Sequence, residues 1–548
     1  MPSAGKGDQH EAGERERMSA RSAQRAECRS EPERGRADAR IRVVIALLAV
    51  AVATGCSDSS ARDELPRFES ASCPTVAPFT TKGLPTPPEL ATSKCGWLFV
   101  PESRAKANGP TIRLAVVIVP SVRQPAAPDP VVHLAGGPGG SSLIELQSLT
   151  AAGVNRERDL ILMSQRGTLF ADPELTCPDL DGVFARSIEL PLDSPANHEA
   201  HRAGFVACRD RLARRGVDFG AYDTVESAAD FADLRRALGI AQWNVFGVSY
   251  GTYLAQTLMY QHPEGIRTVT LDSVEPLVEA DMATTAARNA REAFDNLFGA
   301  CAAQPSCAAR YPDLEATFTR LVNALEAAPL ASGYAPSPGD PLVRVVLDGG
   351  AIVNGIIDTS FHTGEFAQVP AWIDRLARGD GADFARARGA PLLIPPGILA
   401  YGMATSMVCS GYFVEDSDAS VLAQGKRSFP RYPDSVLSPA LHFTDALSDC
   451  RIFGVPATPM ELRTPRQSAI PTLLLSGTFD AVTPPGAAVT AAETLSRATV
   501  LAFAGVGHAV VQSSPCAAEV FASFLDDPGA PGVACVGTLT PPVFATGG

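Results

Sequence analysis

Basic charge is scarce in this 548-residue chain, where 46 lysines and arginines face 60 aspartates and glutamates for a formal net charge of −14. Phosphate binding needs a basic face, and none is concentrated in the body of the chain, which excludes nucleic acid as a partner. Long apolar runs are missing as well. The run at 43–52 falls well short of the roughly 20 residues that span a bilayer, so it is not read as a membrane helix. No Cys-x-x-Cys pair and no cysteine–histidine cluster offers a zinc site. There is no internal repeat either, and bias in composition is confined to a Ser-, Pro- and Thr-rich stretch before residue 95.

What is present begins with an export signal. Arg40 and Arg42 precede the apolar run, and the small residues Ala53-Thr54-Gly55 lead into Cys56, the order of a signal peptide. The stretch resembles a bacterial lipobox, whose cysteine is lipidated and becomes the first mature residue. Ala53 stands where leucine is usual, and the basic segment is long enough that Met18 is an alternative start. The expectation is a lipoprotein-type signal peptide over 1–55 with lipidation at Cys56, simple secretion being the alternative. Of 12 cysteines, Cys28 falls in the leader and Cys56 is the lipid site, which leaves an even set. In chain order they form neighbouring pairs: Cys73 with Cys95, Cys177 with Cys208, Cys301 with Cys307, Cys409 with Cys450, and Cys516 with Cys535. Spacing does not prove connectivity, but an even set in an exported chain is expected to be mostly disulfides.

The organisation of the rest follows from hydrophobic pattern. Residues 56–94 lack a sustained apolar period and are expected to be a flexible tether. From residue 95 short aliphatic runs at 98–100, 112–119, 131–134 and 160–163 read as strands bounded by Gly, Pro or charge. A helix at 225–238, a strand at 244–246, a helix at 250–260 and a strand at 268–271 then follow closely. Strands alternating with helices predict an α/β fold, a mainly parallel sheet with helices on both faces. The alternation stops near Pro276, gives way to helical patterns such as 314–325 and 366–376, and resumes with strands at 472–475 and 499–503. The expected layout is therefore a core over 95–275, an inserted and mostly helical cap over 276–466, and the remaining core over 467–548.

The chemistry is carried by Gly247-Val248-Ser249-Tyr250-Gly251. A serine hydroxyl is a poor nucleophile, so it must stand where a base reaches it and backbone N–H groups receive the oxyanion. A sharp strand-to-helix turn achieves this and crowds the positions two before and two after the serine, which is why both are glycine. The pattern Gly-x-Ser-x-Gly alone is weak, but here it joins an apolar strand to a helix. The partners should follow in the order acid, then histidine. Asp480 stands in the loop after the strand at 472–475, and His508 is the only histidine beyond it. Asp272, at the end of the strand after the nucleophile helix, is the alternative acid. A turn with bare backbone, Ala135-Gly136-Gly137-Pro138-Gly139-Gly140, follows the strand at 131–134 and supplies an oxyanion donor at Gly137, or at Gly136, beside the amide of Tyr250. A phosphate-cradling reading fails because no Lys-Ser/Thr follows. The expected chemistry is acyl transfer with no metal or organic cofactor.

From Cys95 onward the chain resembles the secreted bacterial tripeptidyl aminopeptidases and their prolyl aminopeptidase relatives, which are α/β-hydrolases. The resemblance rests on Cys95-Gly96-Trp97-Leu98-Phe99-Val100-Pro101, the turn at 135–140, Gln165-Arg166-Gly167-Thr168, Tyr222-Asp223-Thr224, the Ser249 motif and the Asp480 and His508 loops. It implies release of residues or tripeptides from peptides with a free N-terminus, and it favours Asp480 as the acid. Two departures stand out. Ser164 replaces a common aspartate, and Ser410-Gly411-Tyr412 occupies the stretch where relatives carry a glutamate that would hold the substrate ammonium. The nearest acids, Glu415 and Asp416, read as a solvated loop. Alternatives are a carboxylesterase or lipase acting on small acyl esters, and an inactive hydrolase scaffold that binds peptides as a surface lipoprotein.

Overall fold

The computed structural model describes residues 65–74, 86–278, 281–390, 397–437 and 445–547. The signal segment, Cys56 and the proline-rich interruption at 391–396 lie outside the described residues. No helix among the described residues is long and apolar enough to cross a membrane.

Twelve strands are described: β1 (Arg67–Ala71), β2 (Lys94–Pro101), β3 (Thr111–Val119), β4 (Ala127–Leu134), β5 (Arg158–Met163), β6 (Ala171–Asp172), β7 (Trp243–Val248), β8 (Ile266–Asp272), β9 (Leu330–Tyr334), β10 (Val343–Leu347), β11 (Thr472–Gly477) and β12 (Ala498–Phe503). Ten of them form one sheet in the order β1-β2-β3-β5-β4-β7-β8-β11-β12, with β6 alongside β3. The first strands pair antiparallel, and from β5 to β12 every pairing is parallel. Parallel strands are buried on both faces, and β7 and β11 are buried along their whole length. Successive side chains of β7 serve opposite cores. Val245 joins Leu254 and Leu258 of the helix Tyr250–Gln261 on one face, while Phe246 meets Phe521 of the helix Pro515–Asp526 on the other, ring centroids 4.8 Å apart. The helix Thr224–Ala237 starts where the Asp223 carboxylate accepts the N–H of Glu226 at 2.8 Å. It ends at Gly239, whose φ of 66° suits a glycine stop.

The expected tether needs correction. Within it Arg67–Ala71 is a strand paired with β2, and Cys73 is bonded to Cys95. Phe68 lies on Gly96, where a Cβ would come within 2.3 Å of the ring, and the Arg67 guanidinium stacks over Phe99 at 4.2 Å. An edge strand of five residues with one large apolar side chain is too short and too polar to show as a period. Residues 75–85 are outside the described part of this stretch.

Between β8 and β11 the described elements are helices apart from the antiparallel hairpin β9–β10. Its own core, built on Phe294, Phe318, Phe366, Trp372 and Phe384, also takes in Phe479 and Ala481 from the loop after β11. A second helical excursion, Pro178–Ser187 and Pro195–Arg214, leaves the sheet before β7. Phe205 of this excursion meets Phe453 of the inserted block, and Phe184 meets Tyr401. All five cysteine pairs of the sequence reading are disulfides, which places the folded chain in an oxidising compartment.

Candidate active site

The turn from β7 into the helix Tyr250–Gln261 holds Ser249 at φ 57°, ψ −127°. This is a strained conformation for a non-glycine residue, costing about 1–3 kcal/mol. The surroundings enforce it. A Cβ on Gly247 would lie 2.2 Å from the Gly251 carbonyl oxygen, and one on Gly251 would lie 2.0 Å from that of Leu134. Ser249 N–H donates to the Asp272 carbonyl at 2.9 Å, and the Ser249 carbonyl accepts from Thr252 Oγ1 at 2.6 Å. The hydroxyl is thereby presented to a cavity of about 440 Å³ that His508, Gly136, Gly137 and Tyr250 also line.

The structure brings Asp480, and not Asp272, to the histidine ring. Asp480 Oδ2 lies 2.8 Å from His508 Nδ1. The same carboxylate accepts the N–H groups of Val482 and Thr483 at 2.9 and 3.0 Å and the Thr483 hydroxyl at 2.7 Å. Burial opposes the charge on Asp480, but the His508 charge and these donors outweigh it and hold its pKa below the ordinary value. Burial also penalises the His508 cation, yet the charge and hydrogen bond of Asp480 win and the imidazole pKa is raised. With Nδ1 bonded to the carboxylate, Nε2 is the basic atom. Among the described hydrogen bonds none joins Ser249 to His508, and the two residues line the same cavity.

Asp272 has a different task. Fully buried, it accepts the N–H groups of Val510 and Val511 at 2.7 and 2.8 Å and the Ser273 hydroxyl at 3.1 Å. It fixes the short helix Val510–Ser513 that follows His508. Burial, only partly offset by those donors, raises its pKa to about 6.

The glycine turn stands where the oxyanion would form. Gly136 sits against Ser249 and the Val248 carbonyl, and Gly137 follows with φ 116°. Tyr250 opens its helix, so its N–H has no acceptor within that helix. Gln165 Nε2 ties the turn to β5 by donating to the Ala135 carbonyl at 2.9 Å. Arg166, wholly buried, meets both oxygens of Asp230 at 2.8 Å and anchors the same loop. Ser164, the departure noted above, pairs its hydroxyl with Ser141 at 2.9 Å.

Several site residues left no trace in the sequence pattern. Ser360, from the inserted block, accepts the His508 N–H on its carbonyl at 2.7 Å and the Ala481 N–H on its hydroxyl at 3.0 Å. Thr363 Oγ1 accepts the Gly507 N–H at 3.0 Å, and the Phe361 ring stands edge-on to His508 at 4.8 Å. These contacts span more than 100 residues, so no local period reports them. Of the two acids flagged by sequence, Glu415 is exposed and Asp416 caps the helix Met282–Ala303 through the N–H groups of Ala283 and Thr284 at 2.9 and 2.8 Å. The carboxylates lining the cavity are instead Glu145 and Glu275. Among the described residues no group of three or more His, Cys, Asp or Glu side chains is arranged to hold a metal ion.

Comparison with known proteins gives a match to the alpha/beta hydrolase fold family model over residues 129–513. Serine protease Hip1 of Mycobacterium tuberculosis is 30% identical over 230 residues, 39% of this chain and 42% of that protein. Tripeptidyl aminopeptidase of Streptomyces coelicolor is 30% identical over 196 residues, 33% of this chain and 35% of the relative. The matched stretch thus spans well under half the length of these curated relatives. Among solved structures, a thermophilic esterase from Thermogutta terrifontis aligns with TM-score 0.34 and 14% identity, covering 79% of this chain and 99% of that one. A proline iminopeptidase-related protein from Thermus thermophilus aligns with TM-score 0.33 and 16% identity, covering 78% and 96%.

Proposed function

The chain belongs to the alpha/beta hydrolase fold family, and from that premise we propose that it is an exported serine hydrolase that removes residues or tripeptides from the free N-terminus of peptides. One observation carries the reading. The strained Ser249 and the base His508 line one cavity, and the buried carboxylate of Asp480 is hydrogen-bonded to that base.

In the proposed mechanism His508 Nε2 takes the proton from Ser249 as Oγ attacks the substrate carbonyl. Asp480 holds the imidazole in the required tautomer and stabilises the imidazolium. The N–H groups of Gly137 and Tyr250 receive the oxyanion, and the imidazolium then protonates the departing amine. Water, deprotonated by the same base, releases the acyl group and restores Ser249. The relatives named as a serine protease and a tripeptidyl aminopeptidase support peptides over other acyl compounds. Export is supported by the five disulfides, and lipidation at Cys56 is part of the proposal.

Two experiments test this. Ser249→Ala should abolish labelling by a fluorophosphonate probe while the variant stays folded by circular dichroism; persistent labelling removes Ser249 as nucleophile. Parallel assays on aminoacyl or tripeptidyl anilides and on short acyl esters should show amide cleavage, and a profile confined to esters would replace the peptidase with a carboxylesterase. Mass spectrometry of the mature N-terminus reads the lipid directly.

A further inference from the structure

We propose that the carboxamide of Gln512 is a main-chain anchor for the substrate, its Nε2 donating to a carbonyl oxygen of the bound peptide other than the scissile one. The proposal rests on the peptidase reading above. It names a group that lets the site grip a peptide more firmly than a small acyl ester.

The first support is the make-up of the cavity wall. Apart from His508, Gln512 carries the only side-chain N–H donors among the described residues that line it. The side chains of Val248, Met282, Phe361 and Val482 are apolar, and those of Glu145 and Glu275 are acceptors when ionised. A peptide entering this space gives up water at its carbonyl oxygens, and a carbonyl left without a donor is costly. The N–H groups of Gly137 and Tyr250 serve the scissile oxygen in the mechanism above, which leaves Gln512 for another.

The second support is an amide with no partner. Gln256 and Gln304 each spend both ends of the side chain on main-chain groups. Gln256 donates to the Glu275 carbonyl at 2.7 Å and accepts the Leu277 N–H at 3.2 Å, and Gln304 donates to the Pro542 carbonyl at 2.8 Å and accepts the Phe544 N–H at 3.2 Å. The Gln512 amide makes no such bond to a described residue, and its Oε1 is buried without a partner. With the oxygen end closed off, the nitrogen end is the one turned to the cavity. Most buried polar groups are paired, so an unpaired amide in the wall of a substrate cavity calls for a partner on the ligand.

The third support is rigidity. Gln512 stands four residues after the base, on the short helix Val510–Ser513. The Ala509 N–H donates to Ser273 Oγ at 2.9 Å, Asp272 holds the N–H groups of Val510 and Val511, and the Ser513 hydroxyl donates to the His508 carbonyl at 3.0 Å. Val510 and Val511 are buried in the core with Phe521 and Phe524, whereas Gln512 is only partly buried and lines the cavity. The amide and the base are therefore carried by one fixed segment, which sets the spacing between the anchored carbonyl and the scissile bond.

The test reads binding apart from chemistry. The Kd of a hexapeptide amide is measured by calorimetry on full-length Ser249→Ala protein, with and without Gln512→Leu, which keeps the bulk and removes the amide. Gln512→Leu should weaken binding about tenfold, and Gln512→Asn, which keeps the donors on a shorter arm, should recover part of the loss. Unchanged binding in Gln512→Leu, or no binding of the hexapeptide to either protein, overturns the anchor. In protein that keeps Ser249, Gln512→Leu should lower kcat/KM about tenfold more for the hexapeptide than for p-nitrophenyl acetate, chiefly through KM. An equal fall on both substrates, carried by kcat, would assign Gln512 to holding the base loop and also overturns the anchor. Should the wild type cleave esters and no peptide while hexapeptide binding still depends on Gln512, the peptidase reading falls and the anchor stands.

Discussion

Asp480 and Asp272 are both fully buried beside the histidine loop, and what separates them is the partner each oxygen takes. Asp480 bonds the His508 ring, whereas Asp272 bonds backbone N–H groups past it. Asp480→Asn should therefore lower kcat by roughly 10³–10⁴-fold, since the amide favours the wrong imidazole tautomer. The pH dependence follows from the upward shift of His508. The base works neutral, so kcat/KM should rise with pH through an apparent value above the ordinary histidine value of about 6.5, which a pH–rate profile reads directly. For Asp272 the upward shift bears on stability rather than on rate. Its folded pKa of about 6 lies above the unfolded carboxylate value, so the native state holds the extra proton between about pH 4 and 6. Stability from this group is full below that window and is lost as pH rises through it. The stability gap between wild type and Asp272→Asn, followed by denaturant titration, should shift in the destabilising direction for wild type by on the order of 2–3 kcal/mol across the window. A flat difference would place the cost of burying Asp272 elsewhere.

At the scale of elements, the site is made where three segments meet. The strand-to-helix turn at Ser249 has no room for a side chain at Gly251, because a Cβ there falls 2.0 Å from the Leu134 carbonyl. Gly251→Ala should cost about 1–3 kcal/mol or more through overpacking. It should also reduce fluorophosphonate labelling at temperatures where the variant is still folded. The second meeting point is Ser360, whose carbonyl and hydroxyl hold the base loop and the acid loop. Ser360→Ala leaves the buried Ala481 N–H without its acceptor, a penalty of about 1–3 kcal/mol. As a positioning residue it should act mainly on kcat, with KM little changed. An effect confined to melting temperature would make it structural only. The segment between β8 and β11 thus contacts both the base loop and the acid loop.

At the scale of the whole molecule, the sheet, the segment between β8 and β11 and the disulfides all fall within one compact unit that begins at residue 64. Cys409–Cys450 closes 41 residues and fixes the segment that carries Tyr412 to the helix Ala446–Phe453. Replacing both cysteines by alanine should lower stability by about 2–4 kcal/mol. It should also make thermal unfolding less sensitive to reductant than that of wild type.

The sequence by itself determined what depends on neighbours along the chain. The parallel strands announce themselves as aliphatic runs because both faces are buried, and Gly247 and Gly251 flag the turn because sterics there admit no Cβ. The cysteines pair in chain order, and the only histidine beyond Asp480 lies in the base loop. Tertiary structure alone decided the rest. It turned a polar stretch into the strand Arg67–Ala71, brought Ser360 to the base, and put Glu275 rather than Glu415 or Asp416 in the cavity. The physical reason is range. Periodicity records which face a segment buries, while the partner of a carboxylate or hydroxyl is set by other segments, 28 residues away for Asp480 and His508 and 121 for Ser360 and Ala481, that only folding brings within hydrogen-bond reach.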